Sequence, residues 1–259
     1  MSLVKYEIED GLAVLTLMRP EKRNAMNPAM MRDLDLAVTR AADEARAVII
    51  AGSGDHFSAG LDLAEGIFKG AIKSIAGSQS WYSIFRKIKS GSIPYFAALH
   101  GGVIGGGLEL AAVTHVRVAD ETAFFALPEG QRGIFVGGGG SANISRILGV
   151  TRMVDMMLTG RVLTVAEAES LDVVTYVTPP GEALAKAREL ARKAMENTAL
   201  SNYAIINGIQ RIHDSGMEEG LFFESVLASY VQSSPEANQR MLDFVEKRAP
   251  RVQNPGSVK

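Results

Sequence analysis

The chain contains no cysteine. That absence excludes disulfides, thiolate nucleophiles and cysteine-ligated zinc or iron–sulfur sites, and it fits a reducing compartment. Neither sign of charge is in surplus, since 27 Lys and Arg face 29 Asp and Glu for a net charge of -2. No block of five or more like charges occurs, so the clustered basic excess that nucleic-acid binding requires is missing. The sequence has no run of about 18 apolar residues, the length needed to span a membrane. The N-terminal stretch carries acids and reads as neither a signal nor a transit peptide. These absences predict a cytoplasmic protein with no membrane and no nucleic-acid partner. Phosphate-cradling motifs are missing too: there is no Gly-Lys-Ser/Thr, and no strand-to-helix turn spells G-x-G-x-x-G. His56, His100, His115 and His213 lack metal-ligand spacing, so no metal site is expected. His56-Phe57-Ser58-Ala59-Gly60 comes nearest to a serine-hydrolase elbow but lacks its first glycine.

What is present suits one large domain, or a main domain with an appendage, in 259 residues that are 47% apolar and 22% charged. Residues 3–9 and 12–18 alternate around Asp10-Gly11 and read as a β-hairpin. Asn27-Pro28 opens a helix with Met31, Leu34, Val38 and Ala41 on one stripe. Residues 47–51 and Pro94–Leu99 read as buried strands, with shorter strands at 116–119, 123–126 and 173–177. Residues 64–80, rich in Gly, Ser and Ala, read weakly, as a partly mobile flap, with helix returning at 81–89. Thr164 to Glu167 spells a capping box, Ser234-Pro235 starts a helix, and the tail from 251 is expected to fray. Strands end near residue 178, so the pattern predicts an α/β core followed by a helical appendage.

Two glycine-containing turns follow strands: Ser58-Ala59-Gly60-Leu61-Asp62, and Gly105-Gly106-Gly107-Leu108-Glu109 at a helix start. Two backbone N–H groups from separate turns, converging on one oxygen, make an oxyanion hole for a thioester or ester carbonyl. Tight turns and close packing account for such glycines equally well. Two acids add to the case. Glu109 lies in the first turn of an apolar helix, and Glu129 follows Leu127-Pro128 after an aromatic-rich stretch. Burial there raises a carboxyl pKa and suits it to proton transfer near neutral pH. Taken singly, the first is equally a helix-dipole partner and the second a loop residue.

The ordered blocks HFSAGLDL, IPYFAALHGGVIGGGLELA, AFFALPEGQRGIFVGGGG, LTGRVLTVAEAESL and FVEKRAP resemble the crotonase (enoyl-CoA hydratase/isomerase) superfamily, beginning at LMRPEKRNAMN and running through the whole chain. The resemblance implies a spiral of ββα units over residues 1–195, followed by a helical trimerisation region over 196–259, as a homotrimer or dimer of trimers. It implies an acyl-CoA thioester as ligand, with no cofactor beyond the coenzyme A of the substrate. By position it implies Leu61 and Gly106 as the oxyanion donors and Glu109 and Glu129 as the two acids of a hydratase. It places Arg23, Ala25, Ala59, Gly60, Asp62 and Leu63 along the CoA, and Phe244 and Lys247 where they reach the CoA of a neighbouring subunit. One departure stands out. Where hydratases carry Pro-Gly-x-Gly-Gly, this chain reads Phe135-Val136-Gly137-Gly138-Gly139-Gly140, which implies a reshaped pocket floor.

The expected reaction is hydration of a 2-enoyl-CoA, with Glu109 chiefly as base and protonated Glu129 supplying the α-proton. An enoyl-CoA isomerase, or hydration coupled to thioester hydrolysis, would use the same oxyanion hole and remain alternatives. So does a noncatalytic CoA-binding or RNA-binding member, against which both acids and the lack of a basic patch argue.

Overall fold

The computed structural model describes residues 2–64 and 70–249. The middle of the expected flap, 65–69, and the tail from 250 lie outside the described residues. The chain divides into two compact units, Met1–Glu196 and Asn197–Lys259.

The first unit opens with β1 (Val4–Glu9) and β2 (Leu12–Leu17), paired antiparallel. Asp10 and Gly11 between them both take positive φ (50° and 79°), as a two-residue hairpin turn requires. α1 (Pro28–Glu44) starts where Asn27 accepts from Met30 N–H at 2.9 Å, a cap worth about 1 kcal/mol, and its buried stripe includes Met30, Met31 and Leu34. It carries the chain to β3 (Ala47–Gly52), which lies parallel to β2. α2 (Ala71–Lys89) follows the undescribed residues and buries Ile84, Phe85 and Ile88. The reading of 64–80 as a flap is corrected here: from Ala71 onward the segment is helical, although its glycine and serines hide the pattern.

β4 (Tyr95–Leu99) and β5 (Gly102–Ile104) lead into α3 (Gly106–Ala112), and β6 (Val116–Asp120) and β7 (Phe124–Ala126) lead into α4 (Gly140–Leu148). α5 (Val150–Thr159), β8 (Val162–Thr164), α6 (Val165–Ser170), β9 (Tyr176–Thr178) and α7 (Ala183–Met195) complete the unit. The last strand sits later than the predicted 173–177, because Val173 and Val174 N–H both donate to Ala168 O and close α6. Thr164 and Glu167 form the full capping box at the start of α6.

The strands sort into a six-stranded sheet, β1-β2-β3-β4-β6-β9, and a three-stranded one, β5-β7-β8. β4, β6 and β9 of the large sheet are each accompanied in the chain by one short strand of the second layer, β5, β7 and β8 respectively. The second layer continues as two isolated parallel bridges, Ser58↔Val103 and Met26↔Leu61. This stacking brings residues 24–26, 58–61 and 103–106 side by side. His115, at the junction of α3 and β6, is a packing residue: Tyr95 N–H donates to its Nδ1 and its Nε2 meets Lys89 O.

Among its described residues the second unit contains helices and short connections, and no strand. α8 (Ala199–Asp214) and α9 (Met217–Gln232) pack on each other, and α10 (Pro235–Val245) is capped by Ser234, which accepts from Ala237 N–H. Leu221, Phe222, Val226 and Tyr230 on α9 and Leu242 and Phe244 on α10 are exposed.

Candidate active site

A cavity of about 610 Å³ in the first unit has Leu61, Trp81, Glu109, Glu129, Phe135 and Gly138 among its lining residues. The two acids singled out from sequence thus face one space, together with Leu61 from the first glycine turn.

The two glycine turns are built by backbone pairing. Met26 N–H donates to Gly60 O (2.7 Å), and Asp62 N–H donates to Met26 O (3.0 Å), which leaves Leu61 N–H outside the pairing. Ser58 braces the turn from within, its hydroxyl donating to Asn24 O and accepting from Gly60 N–H. Asn24 anchors the other side, donating to Ser53 O and His56 O and accepting from Arg19 N–H. Gly60 adopts φ +83°, and a Cβ there would lie 2.8 Å from Gly106 N and 2.6 Å from Ile104 O. The two turns therefore touch at a position where only glycine fits. Gly106 is the first residue of α3, where an N–H has no intrahelical acceptor. Neither Leu61 nor Gly106 is among the backbone donors bonded within the described residues.

Glu109 is 3% exposed in the first turn of α3, a helix whose seven residues are all buried. Its Oε1 accepts from Gly138 N–H (2.8 Å) and Gly140 N–H (2.7 Å) at the start of α4. Burial raises its pKa, while these backbone donors pull the other way by favouring the carboxylate. A Cβ on Gly140 would stand 2.7 Å from Glu109 Oε1, so the close seat of the acid depends on that glycine. The run Gly137–Gly140, read from sequence only as pocket floor, is thus the clamp on Glu109. The available signal was a glycine run abutting a helix start.

Glu129 arrives through β7: Gly105 N–H donates to Ala126 O (2.9 Å), tying the helix start to the strand that leads to Leu127-Pro128-Glu129. A Cβ on Gly105 would lie 2.7 Å from Glu129 Oε1. Glu129 Oε2 is buried with no hydrogen-bond partner. Burial first, and the neighbouring Glu109 charge in addition, push its pKa up to about 7. The two carboxyls therefore sit in opposite surroundings, one bonded by two donors and one with a bare oxygen.

The remaining predicted residues divide. Arg23, Ala25, Ala59, Gly60, Asp62 and Leu63 lie together, since Ala59 N–H donates to Arg23 O at 2.8 Å alongside the pairing above. Arg23 and Leu63 are exposed, whereas the Asp62 carboxylate is buried against Arg19 Nη1 (3.0 Å) and also accepts from Ala64 N–H. Phe244 on α10 and Lys247, which has φ 57° just beyond it, belong to the second unit. Sequence reasoning missed Trp81, the chain's one tryptophan. A Cβ on Gly106 would meet its ring at 2.8 Å, so Gly106 must be glycine because of an aromatic neighbour rather than its own φ.

Residues 7–255 match the model of the enoyl-CoA hydratase/isomerase family. The chain belongs to that family. It is similar to an enoyl-CoA hydratase of Mycobacterium tuberculosis, 32% identical over 246 residues, covering 93% of this chain and 92% of that protein. It is also similar to a short-chain-enoyl-CoA hydratase of Clostridium acetobutylicum, 30% identical over 256 residues and covering 95% of both. A solved structure from Rhodopseudomonas palustris matches with TM-score 0.93 at 44% identity, covering 95% of this chain and 96% of that one. The enoyl-CoA hydratase of Thermoplasma volcanium matches with TM-score 0.87 at 28% identity, covering 96% and 98%. The fold of this family member is accordingly the crotonase fold. No described helix is long and apolar enough to cross a membrane.

Proposed function

We propose that this family member is an enoyl-CoA hydratase, adding water across the 2,3 double bond of a 2-enoyl-CoA thioester. One observation carries the reading: two buried glutamates face one cavity, one held by two backbone donors and the other with a bare oxygen and a pKa near 7. The Leu61 and Gly106 N–H groups receive the thioester oxygen and draw electrons from the double bond, leaving C3 electrophilic. Glu109, whose carboxylate form its two backbone donors favour against the upward pull of burial, takes a proton from water as the water oxygen bonds to C3. Protonated Glu129 delivers its proton to C2 as the enolate collapses. Solvent then restores both carboxyls. The segments 23–25 and 59–63 hold the coenzyme A portion, and Phe244 and Lys247 serve the site of a neighbouring subunit. Family relatives named as hydratases support the same reaction.

The test is loss of the enoyl-thioester absorbance of crotonyl-CoA, with free thiol followed in parallel. Glu109→Gln and Glu129→Gln should each keep CoA binding and lower hydration by at least about 10²-fold. Parental rates in both variants would remove the two-acid mechanism. Thiol release at the rate of hydration would point instead to a hydrolase.

A further inference from the structure

Two cavities share a wall. Behind the main cavity lies a smaller one of about 270 Å³ between α1 and α2, bounded by Met26, Met31, Arg32, Asp35 and Ile84. Leu61, Gly77 and Trp81 line both cavities and form the wall between them. Leu61 is fixed by the bridge to Met26, and Gly77 has no side chain, so the bulk of this wall is the indole of Trp81.

That ring is closely held. Its edge lies 2.8 Å from where a Cβ of Gly106 would stand and 3.2 Å from that of Gly138, and it packs edge-on against Phe85 with centroids 5.7 Å apart. Within the main cavity it stands beside Gly106 and Gly138, next to the Glu109 clamp. Leu63, Ile134 and Phe135 are 40%, 41% and 69% exposed, so they mark the outer end. A thioester entering from that side and reaching Gly106 has Trp81 directly beside it.

We propose that Trp81 is the stop that confines this enzyme to short acyl groups, and that the smaller cavity is a ready extension closed off by the indole. This rests on the acyl-CoA site of the hydratase reading, because it needs the acyl group to lie past the two acids, and not on the hydration step itself. The smaller cavity is suited to a longer chain. Met26, Met31 and Ile84 are buried and apolar on its inner side, while Arg32 and Ser80 are exposed on its outer side, where a tail would emerge into water. Replacing the indole by a methyl joins the two spaces.

Titration calorimetry with butyryl-CoA and dodecanoyl-CoA, saturated thioesters that cannot be hydrated, tests the stop without turnover. For Trp81→Ala the affinity for dodecanoyl-CoA relative to butyryl-CoA should rise at least about tenfold over the parent, through the extra methylenes buried. Trp81→Phe should shift the same ratio in the same direction by a smaller factor, and it stands as the test if the alanine variant does not fold. The ratio of kcat/KM for dodecenoyl-CoA over crotonyl-CoA should move in parallel. An unchanged binding ratio overturns the proposal, as does a parent that already favours dodecanoyl-CoA by such a factor. If the ratio moves but the parent does not hydrate crotonyl-CoA, the hydratase reading fails and the stop stands. A parent that binds neither thioester overturns both.

Discussion

At the scale of single residues, the proposed chemistry rests on making two glutamates unequal. Glu109 has two donors on one oxygen; Glu129 has an oxygen with none. The raised pKa of Glu129 carries a stability consequence whose sign is fixed. Its folded value of about 7 exceeds the ordinary 4.5, so the folded state holds a proton that the unfolded chain releases between those values. Its contribution is therefore fully present at low pH and is lost as pH rises through about 7. Glu129→Gln cannot ionise, so thermal unfolding from pH 5 to 8 should show its melting temperature gaining on the parent as pH rises. A constant difference across that range would mean that Glu129 titrates normally. Hydration by the parent should fall above about pH 7 for the same reason, as the donated proton is lost. Both acids were legible in the sequence because each follows a turn whose glycine or proline marks a fixed backbone path. Trp81 was not. The helix that holds it was expected from residue 81, but Gly, Ser and Ala before it dilute the apolar period, and no pattern marks its ring as a wall of the cavity.

At the scale of elements, the site is a meeting of helix starts. α3 presents Glu109 in its first turn, and α4 begins with the amides that hold it, so both helix dipoles favour a carboxylate at that point. The contact leaves no room for a methyl at Gly140, where a Cβ would fall within 2.8 Å of Glu109 Cγ. Gly140→Ala should displace the acid and lower crotonyl-CoA hydration by about 10²-fold, while circular dichroism and CoA affinity stay near parental values. Activity at the parental level would show that the clamp is not needed. The hairpin, α1, β3 and β4 could be read from sequence because their patterns are long and their turns explicit. β5 and β8 could not. Each has three residues and exists through pairing with β7, parallel in one case and antiparallel in the other. Such strands are defined by their partners rather than by their own composition.

At the scale of the molecule, the second unit carries the clearest sign of unfinished business. Phe222, Tyr230 and Phe244 are 72%, 62% and 65% exposed, more apolar surface than a lone chain ordinarily leaves in water. We expect these helices to be covered by other copies, giving a trimer or hexamer by light scattering at micromolar concentration. A stable monomer would refute this, and with it the role of Phe244 and Lys247 at a neighbour's site. The shortness and complete burial of α3 have a further consequence. Seven residues are too few to form a helix alone in water, so α3 exists only while strands and neighbouring helices enclose it. Its amides should then exchange with solvent only through global opening, among the slowest in the protein. Such a catalyst has no half-folded working form: on denaturation its activity and its tertiary structure disappear in one step, and on refolding they return together.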